Sequence, residues 1–287
     1  MTTQAQAEDK ARVLIEALPY IRTYRGQTVV VKIGGAALED PEHASIVADD
    51  LALMSLVGIR IVIVHGGGPQ VSVAMKQAGF EARFVGGLRI TEPEAMSIVR
   101  GVLVGTINPD LVARLSSSGL RAVGLSGIDD SILAATKTVG PQGEDIGWVG
   151  QIESVNGELL ATLLDGGYTP VLASVGYDGE HPLNINADEV AGAVAASVNA
   201  TKLVYLTNVE GLYKDFGDKG SLVSELKANE LDRMLPSLSE GMQPKARSAL
   251  VALHTGVGKV HILDGRIPHA LLLEVFTDRG IGTQVLP

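Results

Sequence analysis

Two lysines, two glycine turns and one aspartate are the residues of this chain whose types and spacing could do chemistry. Lys32 lies inside Val29-Val30-Val31-Lys32-Ile33-Gly34-Gly35, among neighbours with the character of a buried strand. A lysine there is costly to bury unless its charge is paired. It either snorkels at the strand end or holds an ammonium beside Gly34 and Gly35, ready to meet a phosphoryl group. Lys245, in Gly241-Met242-Gln243-Pro244-Lys245, opens a helix, where a cation opposes the helix dipole. It is either solvated or faced by a compensating anion, from the protein or from a ligand. Asp188 follows Asn184-Ile185-Asn186-Ala187 at the head of an Ala-rich helical stretch. Asn186 suits an N-cap and Asp188 suits a first turn, where a carboxylate is favoured. The same carboxylate could instead orient ammonium groups through charge-assisted hydrogen bonds.

The glycines complete the set. His65-Gly66-Gly67-Gly68-Pro69 follows a strand and opens a helix. Such a turn lets backbone N–H groups approach an anion, and the helix dipole favours negative charge there. Gly34-Gly35 offers the same after the first strand. Neither turn is a Walker A sequence or a G-x-G-x-x-G fingerprint. Arg89, in Gly86-Gly87-Leu88-Arg89, either clamps a carboxylate bidentately or lies on the surface. Two lysines, two glycine loops and one acid form a parts list for phosphoryl transfer by charge neutralisation. No Ser-His-Asp order is visible, and the six histidines form no H-x-x-x-H pair, so serine-hydrolase and metallohydrolase readings are poor.

The elements that must position these residues alternate along the chain. β-Branched runs occur at 27–33, 59–64, 121–125, 170–174, 202–207 and 258–263. Short, near-continuous apolar runs are what strands covered on both faces look like. Helical stretches are expected at 41–57, 69–79, 93–104, 109–118, 187–198 and 245–255, several opening with Pro near the first turn, where it is tolerated. This alternation predicts an α/β fold with a mainly parallel sheet between helix layers. Residues 140–150 break the alternation and suit a turn-rich hairpin. Before the first strand, Ala11, Leu14, Ile15, Leu18 and Ile21 form a helical stripe that Pro19 should kink or end. That helix either packs on its own sheet or is an arm that docks on another subunit.

Composition narrows the class. The chain has 287 residues, 46% of them apolar, no cysteine and a net charge of −10. The length allows a large core. Without cysteine there is no disulfide scaffold, thiol catalysis or Cys-ligated metal. The acidic balance argues against nucleic-acid binding. No apolar run reaches the ~18 residues of a bilayer span. The polar first ten residues, with Glu8 and Asp9, do not resemble a signal peptide. A cytoplasmic protein is the expectation.

Taken in order, VKIGGA, HGGGP, GGLR, NINAD, LTNVEGLY and GMQPK resemble the amino-acid kinase family, over almost the whole chain from about residue 12. Within it, the likeness is to members acting on N-acetyl-L-glutamate. The resemblance implies an open three-layer α/β/α sandwich. It divides the chain into an N-terminal helix (1–25), a lobe binding the amino-acid substrate (26–182) and a lobe binding ATP (183–287). It implies that Lys32 and Lys245 stabilise the transferring phosphoryl group, that Asp188 holds both lysines, and that Gly35 and Gly67 donate backbone hydrogen bonds to it. Gly67, Gly68, Arg89 and Asn184 would bind N-acetyl-L-glutamate. Asn208, Val209, Gly211, Leu212, Tyr213, Gly241 and Met242 would line the nucleotide pocket, with Mg²⁺ carried by the phosphates and no metal site of the protein's own. The implied reaction is phosphorylation of the substrate γ-carboxylate, a step of arginine biosynthesis.

The N-terminal helix and the tail 274–283 resemble arginine-inhibited members that assemble as hexamers, trimers of dimers. By that resemblance Tyr20, Glu274 and Gly280 would lie at an arginine site. Two alternatives stand beside this reading. One is a sister kinase acting on aminoadipate or glutamate bound to a carrier protein, or on another small carboxylate. The other is a catalytically silent arginine-binding regulator on the same fold.

Overall fold

The computed structural model describes residues 4–35, 40–215, 217–239, 241–277 and 280–287. Ala36 of the first motif and Asp278 and Arg279 of the tail lie outside the described residues. One eight-stranded sheet organises the rest. Its strands in chain order are β1 (Thr28–Ile33), β2 (Arg60–His65), β3 (Ala122–Ser126), β4 (Thr169–Ala173), β5 (Lys202–Thr207), β6 (Glu225–Lys227), β7 (Lys259–Asp264) and β8 (Thr283–Leu286). In space they run β6-β8-β7-β5-β1-β2-β4-β3. All neighbouring pairs are parallel except β7 with β8. β1 to β4 fill one side of the sheet. From β5 onward the chain builds the other side, so the strand order switches direction between β1 and β5. Ligands of open α/β sheets sit beyond the carboxyl ends of the strands at such a point.

The helices are α1 (Gln4–Tyr24), α2 (Pro41–Leu56), α3 (Gly68–Gln77), α4 (Pro93–Val102), α5 (Asn108–Ser117), α6 (Gly157–Asp165), α7 (Ala187–Ser197), α8 (Ala228–Met234), α9 (Gln243–His254) and α10 (Ala270–Val275). Alternate strand residues face opposite helix layers. Val30, Val62, Val64, Leu203 and Tyr205 join α7 and α9 in one core. Val29, Val31, Ile33, Ile61, Ile63, Val204 and Leu206 join α2, α5 and α10 in the other. Strands buried on both faces explain the unbroken apolar runs, and the three-layer sandwich follows. The expected hairpin is present: Leu133–Val139 pairs antiparallel with Asp145–Val155.

Three local expectations change. α1 passes through Pro19 without ending. The proline forfeits one bond, to the carbonyl of Ile15, a residue 65% exposed where water can take its place. Nor does α1 pack its stripe on its own sheet: Leu14, Ile15 and Leu18 are exposed, and among the described residues its foot, at Tyr24, meets the second core. Finally, the helices expected at 93–104 and 109–118 are one run, joined by a π-turn at Leu103–Ile107. At 25 residues this run, Pro93–Ser117, is long and apolar enough to cross a membrane by length and composition. Here it packs Met96, Val99, Leu103, Leu111 and Leu115 into the cores.

Candidate functional site

β1 brings the first lysine to the switch point. In the parallel register Lys32 stands opposite Val64 of β2 and Tyr205 of β5. By the period of two it shares the face of Val30, toward α7. There it meets Asp188, in the first turn of α7, which Asn186 caps by accepting the Asp188 N–H at 2.8 Å. Lys32 Nζ lies 2.8 Å from Asp188 Oδ1 and Lys245 Nζ lies 2.8 Å from Asp188 Oδ2. Capping and ion pairing therefore divide between Asn186 and Asp188. The anion that Lys245 requires at its helix N-terminus is the Asp188 carboxylate.

All three groups are nearly out of water, with side-chain exposures of 9% for Lys32, 7% for Asp188 and 14% for Lys245. Burial pulls the Lys32 ammonium below its ordinary pKa, and the nearby Lys245 adds to this while Asp188 opposes it. Burial alone would push Asp188 up, but the two ammonium groups outweigh it and hold its carboxyl below the usual range. The cluster carries two cations and one anion. Its net charge of about +1 in a low-dielectric site favours a further anion.

A cavity opens on each side of this bridge. The first, about 200 Å³, is lined by Lys32, Gly35, Gly67, Gly68, Arg89, Asn184 and Ser174. The second, about 250 Å³, is lined by Asn208, Val209, Gly211, Leu212, Tyr213, Gly241, Met242 and Lys245. Each cavity thus takes one lysine of the bridge, and Asp188 ties the pair together. Val209, Leu212 and Met242 offer apolar walls suited to a base, with the Lys245 ammonium placed for phosphates. Among the described residues no three His, Asp or Glu side chains converge as a metal cage.

The glycine loop of the first cavity is set from below. A Cβ on Gly67 would come 2.2 Å from the Ile107 side-chain tip and 2.9 Å from that of Leu103, both in the π-turn, so a larger residue there would have to displace these two side chains. Asn108, next in the chain and buried, donates to Val171 O and to His65 Nε2, both at 2.9 Å. His65 Nδ1 faces Gly66 O at 3.1 Å. This arrangement fits a neutral imidazole that donates at Nδ1 and accepts at Nε2, and burial lowers its pKa to about 4.

Arg89 is buried, not on the surface. Its guanidinium donates to Gly68 O and Ser72 Oγ, each at 2.8 Å, and lies over the Phe84 ring at 4.6 Å. Asn184 donates to Thr91 Oγ1 at 3.0 Å, and Thr91 donates to Arg89 O at 2.9 Å, so the two lining residues are linked. Asn108, Thr91, Phe84 and Ser174 are the residues missed at sequence level. Only Asn108 carried a signal, as a buried-type polar residue within an apolar helical stretch.

Glu274 and Gly280 lie elsewhere, on the α10 side of the sheet, and Tyr20 lies one turn before Tyr24 in α1. Glu274 accepts from Ile281 N at 3.0 Å and pairs with His261 Nδ1 at 2.6 Å. Lys202 lies nearby, its Nζ 4.6 Å above the Tyr24 ring at the foot of α1, the helix that carries Tyr20. Burial pulls the Lys202 pKa down to about 8, against the pull of Glu274.

The sequence pattern of the amino acid kinase family matches residues 27–264. An acetylglutamate kinase of Symbiobacterium thermophilum is 48% identical, with 98% of this chain and 99% of that protein aligned. One from Arthrobacter sp. is 46% identical over 100% of this chain and 96% of its own length. Among solved structures, an N-acetylglutamate synthase from Neisseria gonorrhoeae complexed with coenzyme A and N-acetyl-glutamate superposes with a TM-score of 0.87 at 30% identity, covering 96% of this chain. The chain spans 63% of the length of that synthase. A carbamate kinase from Giardia shares the fold, with a TM-score of 0.63 at 17% identity.

Proposed function

The chain belongs to the amino acid kinase family, and from that premise we propose that it is an acetylglutamate kinase. It transfers the γ-phosphoryl group of ATP to the γ-carboxylate of N-acetyl-L-glutamate, giving N-acetyl-L-glutamyl 5-phosphate and ADP in arginine biosynthesis. The observation that carries this reading is the Lys32–Asp188–Lys245 bridge, with one of its two ammonium groups in each of two adjoining cavities. Relatives near 48% identity over almost their whole length support it.

In this reading the β1–β4 side, residues 26–182, is the amino-acid lobe, and residues 183–287 form the nucleotide lobe. Arg89 and Asn184 bind the substrate. Gly35, Gly67 and Gly68 place backbone N–H groups toward the transferring phosphoryl. The nucleotide lies along Asn208, Val209, Gly211, Leu212, Tyr213, Gly241 and Met242. Mg²⁺, when bound with ATP, neutralises phosphate charge. A γ-carboxylate oxygen attacks the γ-phosphorus, the bond to the β,γ-bridging oxygen breaks, and ADP leaves with the electron pair. The nucleophile is already ionised at neutral pH, so no general base is needed. The barrier is the approach of two anions, and Lys32 and Lys245 lower it as preorganised cations.

The same reading extends to regulation and place. Feedback inhibition by arginine at Tyr20, Glu274 and Gly280, and a hexamer built as a trimer of dimers through α1, fit the exposed stripe of Leu14, Ile15 and Leu18 on the helix whose foot meets Lys202. Such an enzyme works in the cytoplasm. The test is an ATP- and Mg²⁺-dependent assay trapping acyl phosphate with hydroxylamine. N-acetyl-L-glutamate, glutamate and aspartate are offered in parallel and arginine is titrated in. Turnover of N-acetyl-L-glutamate alone is expected. Turnover of none would overturn the substrate and favour a carrier-bound one. Removal of residues 1–24 should abolish cooperative inhibition, and an unchanged arginine response would discard the regulatory part.

A further inference from the structure

Asp188 is gripped at both ends. Its carboxylate holds the two lysines, while its backbone carbonyl accepts a second set of bonds. Ser248 Oγ donates to Asp188 O at 2.5 Å, and Tyr205 OH donates to Ser248 Oγ at 2.7 Å. Both side chains are buried. A hydroxyl carries one proton, so the chain has a direction, from Tyr205 through Ser248 to Asp188 O. Ser248 follows Lys245 by three residues in α9, which places both on one face of that helix. Tyr205 is the cross-strand partner of Lys32. Each lysine therefore has, beside it in the fold, a residue of the chain that ends on the Asp188 carbonyl.

Gly192 lies four residues beyond Asp188 in α7. A Cβ there would stand 2.4 Å from Ser248 Oγ and 3.1 Å from Ser248 O. Glycine weakens a helix interior, and here it lets α9 approach α7 closely enough for Ser248 to reach the carbonyl. The lysine stem is long and flexible, so its helix must be fixed for its charge to be fixed. We infer that Ser248, seated against Gly192 and held by Tyr205, is a positioning residue that sets the reach of Lys245 onto Asp188 and toward the transferring phosphoryl group. This rests on the kinase reading, in which the ammonium must meet the phosphoryl in the transition state more closely than in the ground state.

The test combines steady-state kinetics with crystal structures of the full chain and of Ser248→Ala, Gly192→Ala, the double variant and Tyr205→Phe. Ser248→Ala should lower kcat about tenfold or more, with KM for both substrates within about twofold, since an ångström of misplacement costs up to about a hundredfold. Gly192→Ala should lower kcat by forcing the helices apart. Adding Ser248→Ala to it should restore part of that loss, because the clashing oxygen is gone. Tyr205→Phe should lower kcat less than Ser248→Ala. In the Ser248→Ala crystal the Lys245–Asp188 contact should lengthen from 2.8 Å. A role in packing alone would lower the melting temperature and leave kcat and that contact as they are, and this result overturns the inference. If the unsubstituted protein fails to phosphorylate N-acetyl-L-glutamate, the substrate reading falls. The contact in the variant crystal still decides the positioning role.

Discussion

Two buried ionic clusters lie on opposite faces of one sheet. At the carboxyl ends of β1 and β5, Lys32 and Lys245 share the single carboxylate of Asp188. At the other cluster, Lys202 and His261 lie beside Glu274. The first has an excess cation and borders two cavities. The second sets one carboxylate, paired with a histidine whose pKa burial holds down, among the charges of Lys202 and Lys259. Uncompensated positive charge next to open space is a receptor for an anion. A cluster packed under a helix foot is a joint, which a charged ligand could adjust. The difference lies in what each cluster borders, two cavities at the first and the foot of α1 at the second.

Breaking each cluster should therefore fail differently. Lys32→Met should lower kcat about a thousandfold, the scale of losing one preorganised charge partner in the transition state, read by the hydroxamate assay. Loss of stability with kcat intact would erase the distinction. Glu274→Gln should cost about 3 kcal/mol in chemical denaturation, because it removes the buried carboxylate that pairs with His261 and whose charge acts on Lys202. It should also remove the arginine response, and an unchanged response would detach this cluster from regulation.

The two buried histidines sharpen the contrast. His65 accepts from Asn108 and must stay neutral, with a pKa of about 4, whereas an unfolded histidine titrates near 6.5. The unfolded chain then binds more protons between those values, so stability falls as pH drops from about 6.5 to about 4, by about 3 kcal/mol in total. Urea denaturation across that range should show the loss, and His65→Asn should shrink it. A pH-independent curve would contradict a neutral His65. Arg89→Lys keeps the charge but loses the fork to Gly68 O and Ser72 Oγ. It should raise KM for N-acetyl-L-glutamate roughly tenfold, about 1.4 kcal/mol, and an unchanged KM would remove Arg89 from the substrate site. The smallest effect should come from Asp165→Ala, which cuts the exposed pair with Arg60 at 2.7 Å. Less than about 1 kcal/mol is expected, and a larger loss would mean that exposure does not separate strong pairs from weak ones here.

Much of this was legible in the chain. The apolar runs placed β1, β2, β3, β4, β5 and β7 to within a residue or two, because a strand buried on both faces leaves no choice of residue type. Pro41 and Pro93 marked helix starts for a local steric reason. The strands at 225–227 and 283–286 were not seen, since they are short and mixed in polarity. The π-turn was invisible because it answers to the packing of Leu103 and Ile107 under Gly67. α1 continues past Pro19 and ends at Tyr24, because solvent tolerates the lost bond.

The sequence alone determined the α/β class, the glycine loops and the identity of the charged groups. These follow from residue type and short-range period, which the chain carries locally. Only the tertiary structure decided that Lys32 and Lys245, 213 positions apart, meet on one carboxylate, that Arg89 is buried, and that Ser248 touches Asp188. Those contacts depend on strand order and on how closely α7 approaches α9. Strand order is a long-range outcome of packing both faces of one sheet, and no local run of residues encodes it.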